Sequence, residues 1–323
     1  MRIKSTLLIA SLPFVFSLAG HAHALTLKAA DTQPAGYPGV TAIEHMGKKL
    51  EAGTHGEITV QMFAGGVLGG EKEVIEQAQL NAVQLTRVSL GVLGPVVADV
   101  NVFNMPFVFR DIEHMRKVID GEIGQEILDK ITDSQFNLVG LAWMDAGSRN
   151  FYSKKPIRSI DDLNGMKMRM MENPLFLDTM NALGGNGIAM GTGETFSALQ
   201  TGVIDGAENN PPVMLAQNHH QVAKYYTEST HLIIPEPLVM AKGAWEQLTP
   251  EQQALVKKTA REAQMEQREL WDKQVAESVN TLKAAGVEFI QVDKKPFYDA
   301  TAPIREKYGA PYADLIKRIE AVQ

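Results

Sequence analysis

Residues 165–212 read GMKMRMMENPLFLDTMNALGGNGIAMGTGETFSALQTGVIDGAENNPP, and their periodicity sets the fold class. Met166, Met168 and Met170 alternate with Lys167 and Arg169, the period of two of a strand. Pro174 to Leu183 then follows a helical pattern, Ile188 to Met190 is a short strand, and Glu194 to Thr201 is a second helix with Phe196 and Leu199 facing the core. Strands alternating with helices are the grammar of an α/β protein. The same stretch carries a chemical feature. Arg169 sits on a strand, not a solvated loop, and a guanidinium held there is suited to meet a carboxylate or phosphate with two parallel hydrogen bonds. The stretch closes on Asp205-Gly206 and Glu208-Asn209-Asn210-Pro211-Pro212, where a turn and two prolines present two amides in a row. An arginine for charge and amides for hydroxyls make a small polar-ligand site.

Upstream, Asn137 to Trp143 reads as a buried strand, and Asp145-Ala146-Gly147-Ser148-Arg149 leaves it. Arg149 is thus a second arginine at a strand exit, either a surface salt bridge or a second ligand cation. Val83 to Leu90 is another strand, with Arg87 and Ser89 on one side by the period of two. Leu25 to Ala30 is a short strand running into Asp31-Thr32-Gln33-Pro34-Ala35-Gly36-Tyr37-Pro38. Gln33 and Tyr37 therefore fall just past a strand's carboxyl end, where open α/β sheets place ligand contacts, although a plain polar loop fits the same residues. Gly65-Gly66 and Gly69-Gly70 lack dinucleotide spacing and a following Lys-Ser/Thr, so they form no phosphate loop. A helix follows from about Glu71 to Leu80.

Downstream, His219 and His220 are adjacent and cannot face one metal from a helix. Thr249-Pro250-Glu251-Gln252 is an N-cap with proline at the first helical position, and favourable residues continue without Gly or Pro to Gly286. Roughly 35 residues at 1.5 Å each predict a helix about 50 Å long, enough to span two lobes. Val287 to Val292 is a last strand, and Pro296 to Gln323 reads as terminal helices.

Arg2 and Lys4, an apolar run from Leu7 to Ala19 and Ala22-His23-Ala24 have the form of a secretory signal peptide. The mature chain is expected to be soluble, to begin near Leu25 and to hold 299 residues, ample for two lobes. No later stretch approaches the ~20 apolar residues of a membrane span. With no cysteine, disulfides, thiolate metal sites and cysteine nucleophiles are excluded. A formal charge of −7, with no basic run, argues against nucleic acid as partner. There is no G-x-S-x-G elbow, H-E-x-x-H or cofactor signature; Glu172, Glu194 and Glu208 remain carboxylates that folding could pair, as a secreted sugar-acid lyase or hydrolase would need. A ligand-capturing receptor that closes like a hinge fits better.

Leu68 to Gln77 (L-G-G-E-K-E-V-I-E-Q), Met105-Pro106-Phe107 with Phe109-Arg110, Gly165 to Arg169 (G-M-K-M-R) and Ala198 to Asn209 (A-L-Q-T-G-V-I-D-G-A-E-N) together resemble the solute-binding proteins of tripartite ATP-independent periplasmic (TRAP) transporters. The resemblance covers the mature chain nearly end to end. It implies a periplasmic, two-lobed α/β protein, with lobe I at residues 25–146 and 235–274 and lobe II at 147–234 and 275–323. A long helix would cross both lobes, which close on an organic acid and deliver it to membrane permease subunits. It assigns the ligand carboxylate to Arg169, with Asn209 and Arg149 beside it. Gln33, Tyr37, Glu71, Arg87, Ser89, Asn210 and Thr192 complete the expected ligand set. Asp31 to Pro38, Thr86-Arg87-Val88, Asp145 to Tyr152 and Glu208 to Pro212 look most similar to hexuronate receptors for glucuronate or galacturonate; another dicarboxylate, keto acid or aldonate is the alternative. Two departures stand out. Thr192 in Gly191-Thr192-Gly193 takes the place of an aromatic that commonly lines the pocket, and Gln84 replaces a common aspartate.

Overall fold

Alternating apolar residues in LTLKAA and ITVQMF pair as parallel strands, Leu25 opposite Ile58 through Ala30 opposite Phe63. They open a computed structural model that describes residues 24–323. The expected leader, apart from Ala24, lies outside the described residues. In chain order the strands are β1 (Leu25–Ala30), β2 (Ile58–Phe63), β3 (Leu85–Arg87), β4 (Leu138–Met144), β5 (Ser148–Ser153), β6 (Lys167–Met170), β7 (Asn186–Ala189), β8 (Gly206–Asn209), β9 (Tyr225–Ile233), β10 (Glu236–Ala241) and β11 (Glu288–Gln291). They form two sheets, ordered β2-β1-β3-β10-β4 and β11-β9-β5-β8-β6-β7. Two crossings join the sheets: residues 145–147 between β4 and β5, and residues 234–235 between β9 and β10.

The third connection is the helix Pro250–Ala284, 35 residues long. Its start is the capping box the sequence predicts: Thr249 Oγ1 accepts from Gln252 N and Gln252 Oε1 accepts from Thr249 N, satisfying two donors that helix termini leave open. It stops just before Gly286, whose φ of +82° is the left-handed conformation suited to glycine after a helix. Val256, Ala260 and Ala263 pack into the core of the first sheet, and Leu282 into that of the second. One element therefore serves both cores.

The structure corrects three expectations. The strand expected over Val83–Leu90 ends at Arg87, because Ser89 caps the helix Leu90–Leu93 and its hydroxyl accepts from Gly91 N. Arg149 is the second residue of β5 and so stands at a strand entrance, after the crossing. Phe196 is only half-buried, since Ala198 and Leu199 are the residues that fill the core from that helix. The C-terminal helix Ala313–Ala321 contacts the helices Ile112–Asp120 and Glu122–Asp133: His114 Nε2 donates to Ile319 O at 2.8 Å, and Arg318 pairs with Glu126 at 2.7 Å. Among the described residues no helix is long and apolar enough to cross a membrane.

Candidate functional site

Parallel strands point their carboxyl ends the same way, and open α/β sheets gather ligand contacts there. β6 and β8 are parallel, with Arg169 opposite Ala207, and β5 runs antiparallel beside β8 with Asn150 opposite Asn209. This brings Arg169, Asn209 and Arg149 to one end of the second sheet. In the first sheet, β1 and β3 are parallel and β10 is antiparallel to β3, so Asp31, Arg87 and Glu236 meet at one end as well. The two ends meet directly: Gln217 Nε2 donates to Gln33 Oε1 at 3.1 Å, and Ser89 Oγ lies 3.1 Å from Met171 Sδ.

All three arginines are buried, Arg87 and Arg149 at 4% exposure and Arg169 at 2%. Arg87 Nε and Nη2 donate to the two carboxylate oxygens of Asp31 at 2.9 and 2.7 Å, and Nη1 to Glu236. Arg149 Nε and Nη2 donate to Glu208 at 2.5 and 2.8 Å, so the surface salt bridge considered for it is instead a buried ion pair. Arg169 differs. Its Nε donates to Met190 O at 2.7 Å and its Nη2 to Thr192 Oγ1 at 3.2 Å, and no carboxylate lies within ion-pair distance among the described residues. Burial pushes the pKa of all three down; Asp31 and Glu208 reverse this for Arg87 and Arg149, which end up raised, whereas Arg169 stays below the ordinary arginine value. A buried cation without a counter-ion is costly, and an incoming anion removes that cost.

The amides divide similarly. Asn209 Oδ1 accepts from Arg149 Nη1 at 3.2 Å and from Asn210 N at 2.9 Å, which leaves Asn209 Nδ2 as the group with donors to offer. Asn210 caps the helix Pro211–Ala216 by accepting from Val213 N and donates to Ala146 O, both at 2.8 Å, so it serves that helix and the first crossing. Tyr37 lies edge-on to Trp271 with its ring under the Arg87 guanidinium, 5.4 Å away, and burial pushes its hydroxyl pKa well up, so it stays protonated. Glu71 Oε1 accepts from Ser89 N at 2.9 Å, yet its surroundings still raise its pKa through desolvation. A cavity of about 360 Å³ opens against Arg169, walled by Glu71 and Val92 on one side and Thr192 and Glu194 on the other. A side chain at Gly193 would meet nothing within 4 Å, so the Gly191-Thr192-Gly193 segment is open on that side. Asp31 and Glu236 were missed by sequence reading, because nothing local marks a carboxylate that will face an arginine on another strand.

The family model of bacterial extracellular solute-binding proteins, family 7 (DctP), matches residues 29–310. The chain belongs to this family of receptors. Among solved structures, a TRAP periplasmic solute-binding protein from Pseudomonas putida F1 with bound D-glucuronate is 73% identical, with 93% of this chain and 98% of that chain covered and a TM-score of 0.92. A TRAP solute-binding protein from Xanthobacter autotrophicus Py2 with bound β-D-galacturonate is 40% identical, covering 92% of this chain and 100% of that one at a TM-score of 0.90. One from Citrobacter koseri is similar in two forms. With bound D-glucuronate it is 48% identical over 93% of this chain and 100% of that chain at 0.91; apo and open, it is 47% identical over 92% and 99% at 0.82. The lobes of this TRAP receptor therefore stand nearer the liganded than the open arrangement of that relative.

Proposed function

We propose that this chain is an exported periplasmic receptor that captures a hexuronate, D-glucuronate or D-galacturonate, and delivers it to TRAP permease subunits without chemically changing it. The observation that carries the reading is Arg169: a buried guanidinium with no carboxylate partner among the described residues, facing a cavity between the two sheets. In this reading the ligand carboxylate supplies the missing charge, and a two-pronged contact to a strand-borne arginine fixes its orientation. Asn209 Nδ2, Gln33, Glu71 and Thr192 offer donors and acceptors for sugar hydroxyls, while Arg149, Arg87, Tyr37, Ser89 and Asn210 frame them through the contacts described. Relatives similar over nearly the whole chain bind D-glucuronate or β-D-galacturonate, which supports the sugar-acid class. The lobes in this reading are residues 25–146 with 235–274, and 147–234 with 275–323, the helix Ala313–Ala321 reaching from the second onto helices of the first.

Calorimetric titration with D-glucuronate and D-galacturonate tests this. Wild-type protein is expected to bind at least one of them, Arg169→Ala to lose most of the affinity, and Arg169→Lys to bind more weakly because it keeps the charge but not the fork. In a thermal-shift screen across sugar acids, dicarboxylates and keto acids, a ligand at 100 times its Kd adds about 2.7 kcal/mol of stability. A response confined to dicarboxylates refutes the uronate reading. A new product seen by chromatography after incubation with a uronate refutes the receptor reading in favour of a lyase or hydrolase.

A further inference from the structure

β6 carries Arg169 and ends at Met170. The chain then turns tightly through Met171, Glu172 and Asn173, with Asn173 N donating to Met171 O at 2.7 Å, before the helix Pro174–Ala182 begins. Asn173 caps that helix, its Oδ1 accepting from Leu175 N at 3.0 Å. The other half of the same amide leaves the element altogether. Its Nδ2 donates to Gly91 O and to Asn101 Oδ1, both at 3.0 Å, and both partners belong to the opposite lobe in the division proposed above. Asn101 is itself held there, accepting from Asn104 Nδ2 at 3.1 Å and donating to Gly94 O at 3.2 Å.

Gly91 and Gly94 stand three positions apart, on one face of the helix Leu90–Leu93 and its cap. A methyl group at Gly91 would lie 2.5 Å from Met171 Cε and 2.6 Å from its Sδ, and one at Gly94 would lie 2.7 Å from Asn173 Nδ2. Neither glycine has a positive φ, so what they supply is room for an approaching surface and not backbone freedom. The residues interleaved with these contacts, Val92 and Glu172, line the cavity against Arg169. We propose that the Gly91/Gly94 face is a socket in which the Met171–Asn173 turn seats when the lobes close, with Asn173 a positioning residue that prolongs ligand capture without touching the ligand.

The chemistry suits a contact that is made and broken. Hydrogen bonds from an amide to a carbonyl exchange for water at small net cost, and an unbranched thioether adapts to the surface it meets. The lobes stand nearer the liganded than the open arrangement of the relative solved in both forms, so this seating belongs to a nearly closed molecule. The helix that is gripped begins at Ser89, whose N–H donates to Glu71 Oε1 at 2.9 Å. Seating therefore sets the Glu71 carboxylate and the Arg169 guanidinium on facing walls of one cavity. A contact present only between closed lobes stabilises the closed state alone, so its loss speeds release and leaves encounter unchanged.

The inference rests on the hexuronate-receptor reading, and the test separates the two. D-Glucuronate binding is followed by calorimetry and stopped-flow in wild type, Asn173→Ser and Gly91→Ala. Serine keeps a cap for the Pro174–Ala182 helix but has no amide to reach across; alanine strengthens the Leu90–Leu93 helix while filling the socket, where Met171 is buried beside Ser89 Oγ. About tenfold weaker binding is expected in each variant, carried by faster dissociation at an unchanged association rate. The ligand-free melting temperature is expected to be unchanged in Asn173→Ser and unchanged or higher in Gly91→Ala. Wild-type affinity in both variants, or a loss carried by slower association, overturns the proposal. A lower ligand-free melting temperature in Gly91→Ala also overturns it, because the contact is then a permanent part of the core, and this holds whether or not D-glucuronate binds. Failure of wild-type protein to bind D-glucuronate counts against the hexuronate reading alone.

Discussion

Replacing Arg169 with methionine removes a buried cation that no carboxylate meets, whereas replacing Arg149 strands the buried carboxylate of Glu208. The two substitutions delete the same charge and should act oppositely. Arg169→Met is expected to leave ligand-free stability unchanged or raised in urea denaturation while abolishing D-glucuronate binding. Arg149→Met is expected to cost about 3–5 kcal/mol, because breaking one side of a buried pair leaves an uncompensated charge. The double variant Arg149→Met/Glu208→Leu should regain most of that loss. Equal destabilisation by Arg169→Met and Arg149→Met would show that Arg169 has a counter-ion in solution. A cation kept in this state lowers stability in favour of function, as binding sites commonly do.

At the scale of elements, the crossing at residues 145–147 is held along its length by the long helix and by Asn210. Gln267 of the long helix accepts from Asp145 N and donates to Asp145 O, both at 2.9 Å. Two residues on, Gly147 has a φ of +67°, and a Cβ there would come within 3.1 Å of the Trp271 indole. Trp271 also touches Tyr37 beside the candidate site, so the crossing, the long helix and that site share one contact. Gly147→Ala is therefore expected to cost about 1–2 kcal/mol from the left-handed backbone alone, and to weaken ligand binding further by pushing on Trp271. Chemical denaturation and calorimetry on the same sample check this; an unchanged stability would show that the left-handed backbone at Gly147 costs alanine nothing. A plainer element-level expectation concerns the long helix, where Thr249→Ala removes the cap and should cost about 1 kcal/mol.

For the whole molecule, two buried histidines make stability fall as the pH drops below neutrality. Burial first, and neighbouring cations second, push the pKa of His219 and His231 down to about 3. Both are depressed below the unfolded value near 6.5, so the unfolded chain takes up protons first as pH falls. Stability is full above pH 6.5 and is lost progressively toward pH 3, by up to about 1.4 kcal/mol per pH unit for each histidine. Glu71 and Asp145, whose folded pKa values are raised, act in the opposite sense and soften the decline. The melting temperature is expected to fall from pH 6.5 to 5, and the fall to be shallower in His231→Gln. An identical slope in the variant would show that His231 is not the titrating group.

Local periodicity and caps were enough to read the α/β class, the limits of the Pro250–Ala284 helix and the placement of Arg169 on a strand, because each depends on residues a few positions apart. Even there, Ser89 left the strand pattern for a cap, a local competition that alternation alone does not resolve. Whether a charge is met is a different kind of question. Arg87 finds Asp31 56 positions away and Glu236 149 away, and Arg149 finds Glu208 59 away. The sequence by itself therefore determined which residues could hold an anion. Only the tertiary structure decided which one still needs one, since that is a sum over neighbours delivered by other strands, and at Arg169 alone of these three the sum leaves a cation unmet.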